Sequence, residues 1–186
     1  VGIALPFFPV WLSEVKGLNG AEIGAVIASA TYARLLAGPA LGVWAEASGT
    51  RRVLIFLSLV LVAGCLAFFF ASAFVVLFLI GLFALTAQAA FMPLADAALL
   101  RETRTGRPSY GLTRSIGSAA FIFANIVGGV ILARTAPDYV LYMLMGSAVL
   151  MLLSSIALPV RRVPPVVGAP KSFLSRLKAG FGLFKS

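Results

Sequence analysis

Uninterrupted apolar runs of about twenty residues recur along this chain, and they constrain its fold more than any other feature. A helix of that length matches the ~30 Å hydrocarbon thickness of a bilayer. Within hydrocarbon every backbone N–H and C=O must find a partner inside the protein, so only helices and closed barrels can span. A barrel would show short strands of alternating polarity, whereas these runs are continuous. The expected class is therefore an all-α polytopic membrane protein. Composition agrees, because 11% charged residues are too few to clothe a water-soluble domain of 186 residues.

Six segments are predicted. The first covers roughly Val1 to Leu12 and is too short to span; because it does not begin with Met, the true start is expected to lie upstream. The others run from about Ala21 to Trp44, Val53 to Ala71, Ala73 to Leu100, Ser109 to Ala133 and Tyr139 to Leu158. Together 1–159 would form one six-helix transmembrane bundle with a truncated first helix. Segment 160–186 would be a basic cytoplasmic stretch. Gly and Ala are frequent in the spans, which lets neighbouring helix backbones approach closely.

Lysine and arginine then orient the bundle. If the loop after the second segment is inside, the inside loops hold Arg51, Arg52, Arg101, Arg104, Arg107, Arg161, Arg162, Lys171, Arg176, Lys178 and Lys185. The outside loops hold Lys16 and Arg134. Eleven against two is a strong positive-inside bias, which puts both ends of the chain in the cytoplasm. It also accounts for the net charge of +9 without nucleic acid as a partner. The lipid bilayer is the expected partner instead. In the tail, Phe173, Leu174, Leu177 and Phe181 share a helical face, with Lys171, Arg176 and Lys178 largely elsewhere. That pattern suits a helix lying on an anionic leaflet, or a linker into a further span. The lone Cys65 offers no disulfide, and without His no metal-ligand spacing arises.

Charges inside the spans are the informative exceptions. Asp96 and Arg114 lie five residues before Arg101 and six after Pro108, so each sits about 8 Å inside its helix end. Antiparallel neighbours joined by a short loop bring the two level. An unpaired Asp or Arg at helix centre costs about 2.5–3.5 kcal/mol on insertion scales, so pairing or contact with water is expected. Arg114, Ser118, Phe121 and Asn125 follow at spacings of four, three and four, which puts a base, a hydroxyl, a ring and an amide on one face. Such a face suits a small organic solute; the alternative is a structural ion pair with polar interhelical contacts. Arg34 is a third intramembrane charge, placed either to draw an anion into a central cavity or to meet an acid elsewhere. Gln88, two turns above Asp96, is assigned to the same cavity. Glu14, Lys16, Glu22 and Asp138 read as solvated loop charges.

Between the second and third segments stands "GVWAEASGTRRVL". It resembles the signature loop of the major facilitator superfamily, with Gly42, Ala45, Glu46, Gly49, Arg51, Arg52 and Leu54 in the pattern. Glu46 replaces the usual Asp, and Ala47 and Thr50 stand where a base is common. The resemblance implies a cytoplasmic gating loop: glycines allow a tight turn and close helix contact, while an acid followed by bases makes switchable charge contacts. It further implies two inverted three-helix repeats, forming the N-terminal half of a twelve-helix transporter whose C-terminal half is absent here. "FFPV" (Phe7 to Val10) and "FMPL" (Phe91 to Leu94) form a faint echo between repeats, with Phe7 and Met92 expected on the cavity.

"YGLTRSIGSAAF" is similar to the branch of phenylpropionate- and lactose permease-like proton symporters, through Gly111, Arg114 and Gly117. In that branch an acid on the fourth helix works with this Arg on the substrate, and Asp96 matches it. "ANIVGG" lacks the Gly-Pro of drug antiporters. The implied function is proton-coupled symport of a small organic solute (an organic acid, sugar or nucleoside) across a bacterial inner membrane. No cofactor beyond a proton gradient is implied. Efflux of drugs or sugars, a non-transporting scaffold and an inactive truncated product are the alternatives. An enzyme is not expected, since no nucleophile or acid–base pair stands at an interface.

Overall fold

A computed structural model describes residues 4–103 and 110–158. The basic stretch Arg104, Arg107 and Pro108 lies outside the described residues, as do Val1, Arg161, Arg162, Lys171, Arg176, Lys178, Lys185 and the whole 160–186 tail with its apolar face. The elements are α1 (Ala4–Glu14), α2 (Gly20–Ser48), α3 (Thr50–Phe70), α4 (Phe74–Thr103), α5 (Tyr110–Leu132) and α6 (Tyr139–Ala157). Five of the six, α2 to α6, are long and apolar enough to cross a membrane. At 11 residues α1 rises only ~16 Å, short of the hydrocarbon core.

The helix ends follow local chemistry. Asn19 caps α2 by accepting from the Glu22 N–H at 3.0 Å, and the Glu22 carboxylate accepts from the Asn19 N–H at 2.9 Å. This reciprocal box satisfies two donors that a helix start otherwise leaves bare. Glu22, expected as a solvated loop charge, thus also caps α2. Between α2 and α3 a single residue, Gly49, turns the chain with φ +96°. Its N–H reaches the Ala45 carbonyl at 3.0 Å, and its own carbonyl accepts from Arg52 at 3.1 Å. A Cβ is disfavoured in that backbone region, so the glycine is what makes so short a turn possible.

α4 is the hub, packing against both α2 and α3, while α3 also packs on α6 and α1 lies against α2 and α6. Where α3, α4 and α2 meet, two glycines carry the close approach. A Cβ on Gly64 would lie 2.6 Å from the Ala84 Cβ, and one on Gly81 would lie 2.6 Å from Val26 Cγ1. Small residues at crossings let van der Waals packing hold helices that lipid would otherwise solvate equally well. One apolar cluster centres on Phe8, Trp11 and Phe68, whose ring centroids are 5.3–5.9 Å apart. A second holds Ala45, Val53, Leu57, Ala87 and Ala90 near the opposite end. Between α3 and α6, Ser58 and Ser155 share a buried hydroxyl contact at 3.3 Å.

Two cations tie the ends of the bundle. Lys16 donates to the Ala71 carbonyl at 2.6 Å, at the C-terminus of α3, and lies 5.2 Å from the Trp11 ring centre. It is half-buried, contrary to the solvated charge expected from its loop position. The free carbonyls ending α3 and the electron-rich indole face both favour a cation there. Arg51 donates to the Ile156 carbonyl at 2.7 Å, at the end of α6. The α1–α2 and α3–α4 connections therefore share one end of the bundle, and the α2–α3 turn shares the other with the end of α6, as alternating spans require.

α5 stands apart. Among the described residues its backbone comes near that of α4 and α6, and sparsely. Gly128 is its single buried residue, and Phe7 approaches the neighbouring Gly129.

Candidate functional site

The site begins at the junction of α4 and α5. Arg114 Nη1 and Asp96 Oδ1 are 3.1 Å apart. α4 continues to Thr103 and α5 starts at Tyr110, so Asp96 lies ~10 Å and Arg114 ~6 Å from their helix ends. The depths are less equal than the sequence spacing implies, and the length of the arginine side chain spans the difference. Both side chains are partly open, 48% for Arg114 and 30% for Asp96. In water such a pair is worth little. At membrane depth the alternative is a stranded charge, which makes the pairing consequential.

From this pair the polar face climbs α5. Ser118 donates back to the Arg114 carbonyl at 3.1 Å, and Asn125 Nδ2 donates to the Phe121 carbonyl at 2.8 Å. These bonds leave the hydroxyl oxygen able to accept and the amide oxygen unused by the helix. Arg114, Ser118 and Phe121 are exposed, and Asn125 is half-buried. An exposed row of this kind on a spanning helix faces lipid, a partner surface or a water-filled cavity, and lipid cannot satisfy it.

α2 supplies a second wall. Arg34, at the midpoint of α2, lines a cleft of about 120 Å³ with Gly38, Leu41, Ala90, Pro93 and Leu94. Pro93 has no N–H, so the Ala89 carbonyl loses its partner within the helix at this level. One turn beyond Pro93 stands Asp96. The cleft's apolar walls were not apparent in the sequence; Gly38-Pro39 on α2 and Pro93 on α4 were the signal available.

The remaining residues assigned to a cavity separate. Met92 is exposed. Phe7 packs against the aromatic core and comes close to α5 at Gly129. Gln88 is buried, 8% exposed, and lines a small internal void with Phe8, Leu61, Cys65, Phe68, Ala84, Leu85, Leu144 and Ser147. It thus faces the interior between α1, α3, α4 and α6. In the signature loop, Arg51 caps α6, Arg52 and Glu46 are exposed, and Gly49 makes the turn. A Cβ on Gly42 would meet nothing within 4 Å, so close helix contact within this bundle does not explain that glycine. Among the described residues no group of three His, Cys, Asp or Glu side chains could hold a metal ion.

Residues 1–166 match the family model described as "MFS_1 like family". The chain is 32% identical to the raffinose permease of Escherichia coli, over 80% of this chain and 36% of that protein. It is 26% identical to the lactose permease of Citrobacter freundii, over 100% of this chain and 47% of that one. The melibiose permease of Enterobacter cloacae is 29% identical, over 77% of this chain and 35% of its own length. The chain thus spans less than half the length of each of these relatives.

Proposed function

The chain belongs to the MFS_1 like family, and from that premise we propose that it forms half of a proton-coupled symporter for a small organic solute of the sugar class. The observation that carries this reading is the Asp96–Arg114 pair, held at 3.1 Å on an open face of spanning helices. Ser118 and Asn125 continue a polar row from the pair along the same face of α5, which a lone structural ion pair does not need. α1–α3 and α4–α6 act as two inverted repeats, and a second six-helix half covers the open faces of α2 and α5. The two halves rock about the site between them. Both ends of the chain lie in the cytoplasm, and the membrane is the bacterial inner membrane. The names of three relatives, permeases for raffinose, lactose and melibiose, favour a sugar over a nucleoside.

Each residue has a role in this scheme. Asp96 accepts hydroxyl hydrogen bonds from the solute, Arg114 orients the carboxylate and donates to ring or hydroxyl oxygens, and Phe121 offers an apolar surface one to two turns above. Ser118 and Asn125 add polar contacts along the same face. Coupling requires a carboxylate that gains and loses a proton during the cycle. Asp96 is assigned that part in this half of the protein.

The test is a double-mutant cycle in the complete gene product, with membrane abundance and proton-driven uptake of radiolabelled lactose or melibiose measured separately. Asp96→Ala and Arg114→Ala should each lower abundance by stranding the partner, and the double variant should restore it. Uptake should stay lost in all three. Near-normal uptake in the double variant would reduce the pair to a scaffold, and uptake indifferent to a protonophore would remove proton coupling.

A further inference from the structure

Among the described residues, Arg34 is an intramembrane cation outside the Asp96–Arg114 pair. Asp96 and Arg114 neutralise each other across 3.1 Å. Arg34 makes no hydrogen bond and no ion pair among the described residues. It is exposed, stands at the midpoint of a span and lines the α2–α4 cleft. From mid-helix its side chain cannot reach the headgroups, so a cavity, an acid or an anionic solute is what can meet it.

The packing places Arg34 relative to the pair. Thr86 Oγ1 lies 3.5 Å from the Ala30 carbonyl, which sets the register between α2 and α4. The two helices run parallel, each separated from the other by one antiparallel span, so Arg34 is level with Ala90 four residues further on. Both residues line the same cleft, as that register requires. Asp96 follows Ala90 by six residues, a rise of ~9 Å. Pro93, exposed, belongs to the cleft floor and lies between the two levels. Gly38, one turn from Arg34, leaves that wall open, with no atom within 4 Å of where its Cβ would be. A charge-balanced pair at the level of Asp96 and the Arg34 cation on α2 thus stand ~9 Å apart along the helix axes, about the length of two linked sugar rings.

We propose that Arg34 binds a carboxylate of the solute, making the site selective for an acidic glycoside over its neutral counterpart. The proposal rests on the symporter reading above and sharpens its substrate class. One end of the solute presents hydroxyls to Asp96 and Arg114, and the other presents its carboxylate to the Arg34 fork, which matches a carboxylate through two parallel hydrogen bonds.

Lactobionate and lactose serve as probes: they share a galactosyl ring, and the other end is an open-chain gluconate carboxylate in the first and a neutral glucose ring in the second. The complete gene product, purified in detergent, is measured for thermal stabilisation by each, and in proteoliposomes for uptake of each. Wild type should bind lactobionate at least ten-fold more tightly than lactose. Arg34→Gln should bring the ratio of lactobionate to lactose affinity down to about one. Arg34→Lys, which keeps the charge and loses the fork, should retain part of the preference, and it carries the test if Arg34→Gln fails to accumulate. An equal loss for both probes, a preference unchanged in either variant, or no preference in wild type overturns the proposal. Stabilisation by lactobionate without uptake of either probe would sink the transport reading alone. Uptake of lactose with no dependence on Arg34 for the acid would sink this proposal alone.

Discussion

Gly64→Ala adds one methyl group at the tightest point of the α3–α4 seam. The new Cβ would lie 2.6 Å from the Ala84 Cβ and 3.6 Å from its Cα. Carbon atoms prefer ~3.5–4.0 Å, so α3 and α4 must part by roughly 1 Å. The obstacle is a Cβ, fixed to the helix backbone, and no rotamer change removes it. Overpacking of this kind costs about 1–3 kcal/mol. Replacing glycine in a helix interior returns up to ~1 kcal/mol. The net expectation is a destabilisation of about 1–2 kcal/mol, a fall of roughly 2–8 °C in unfolding temperature. Cys65, adjacent in sequence and 3% exposed, supplies the readout. A thiol-reactive dye should label it only on unfolding, with the Cys65 peptide identified by mass spectrometry. Adding Ala84→Gly removes the opposing methyl and should recover most of the loss. An unchanged or raised unfolding temperature in Gly64→Ala, or no recovery in the double variant, would refute the close approach of these helices.

Two further outcomes are expected. In the signature loop, Gly49→Ala places a side chain at φ +96° and should cost about 1–2 kcal/mol, whereas Gly42→Ala, with open space around it, should unfold at or slightly above the wild-type temperature; the reverse order by the same assay would discard the turn geometry. Reporter fusions after Gly17, Ser72 and Pro137 should read external and one after Ser48 cytoplasmic, following the positive-inside bias. A single reversed site would overturn that orientation.

Much of this architecture was written locally. The six described helices begin and end within a few residues of the predicted apolar runs, and Gly49 stands at the turn between the second and third. The meeting of Asp96 and Arg114 was legible because a short loop between antiparallel helices converts sequence spacing directly into depth. Gly49 was readable as a turn because the constraint lies in its own backbone.

What tertiary structure decided is which face of each helix meets which neighbour. In water an amphipathic stripe would mark the buried side, but lipid is as apolar as a protein core, so a spanning helix carries little such mark. Nothing in "LVAGCLAF" singles out Gly64 over any other small residue, and only the crossing with α4 makes it indispensable. Gln88 turns into the bundle with Cys65 and Ser147 rather than toward Asp96. Lys16 finds its partner at Ala71, 55 residues away, because two loops converge at one end. α5, as apolar as its neighbours, lies at the edge with its polar row open. Sequence by itself determined the helices, their alternation and the charge pair, since each depends on backbone satisfaction or on a short connection. Packing partners, the Arg34 cleft and the exposed face of α5 depend on non-local fit between apolar surfaces, and apolar residues alone do not encode it in any one stretch of chain.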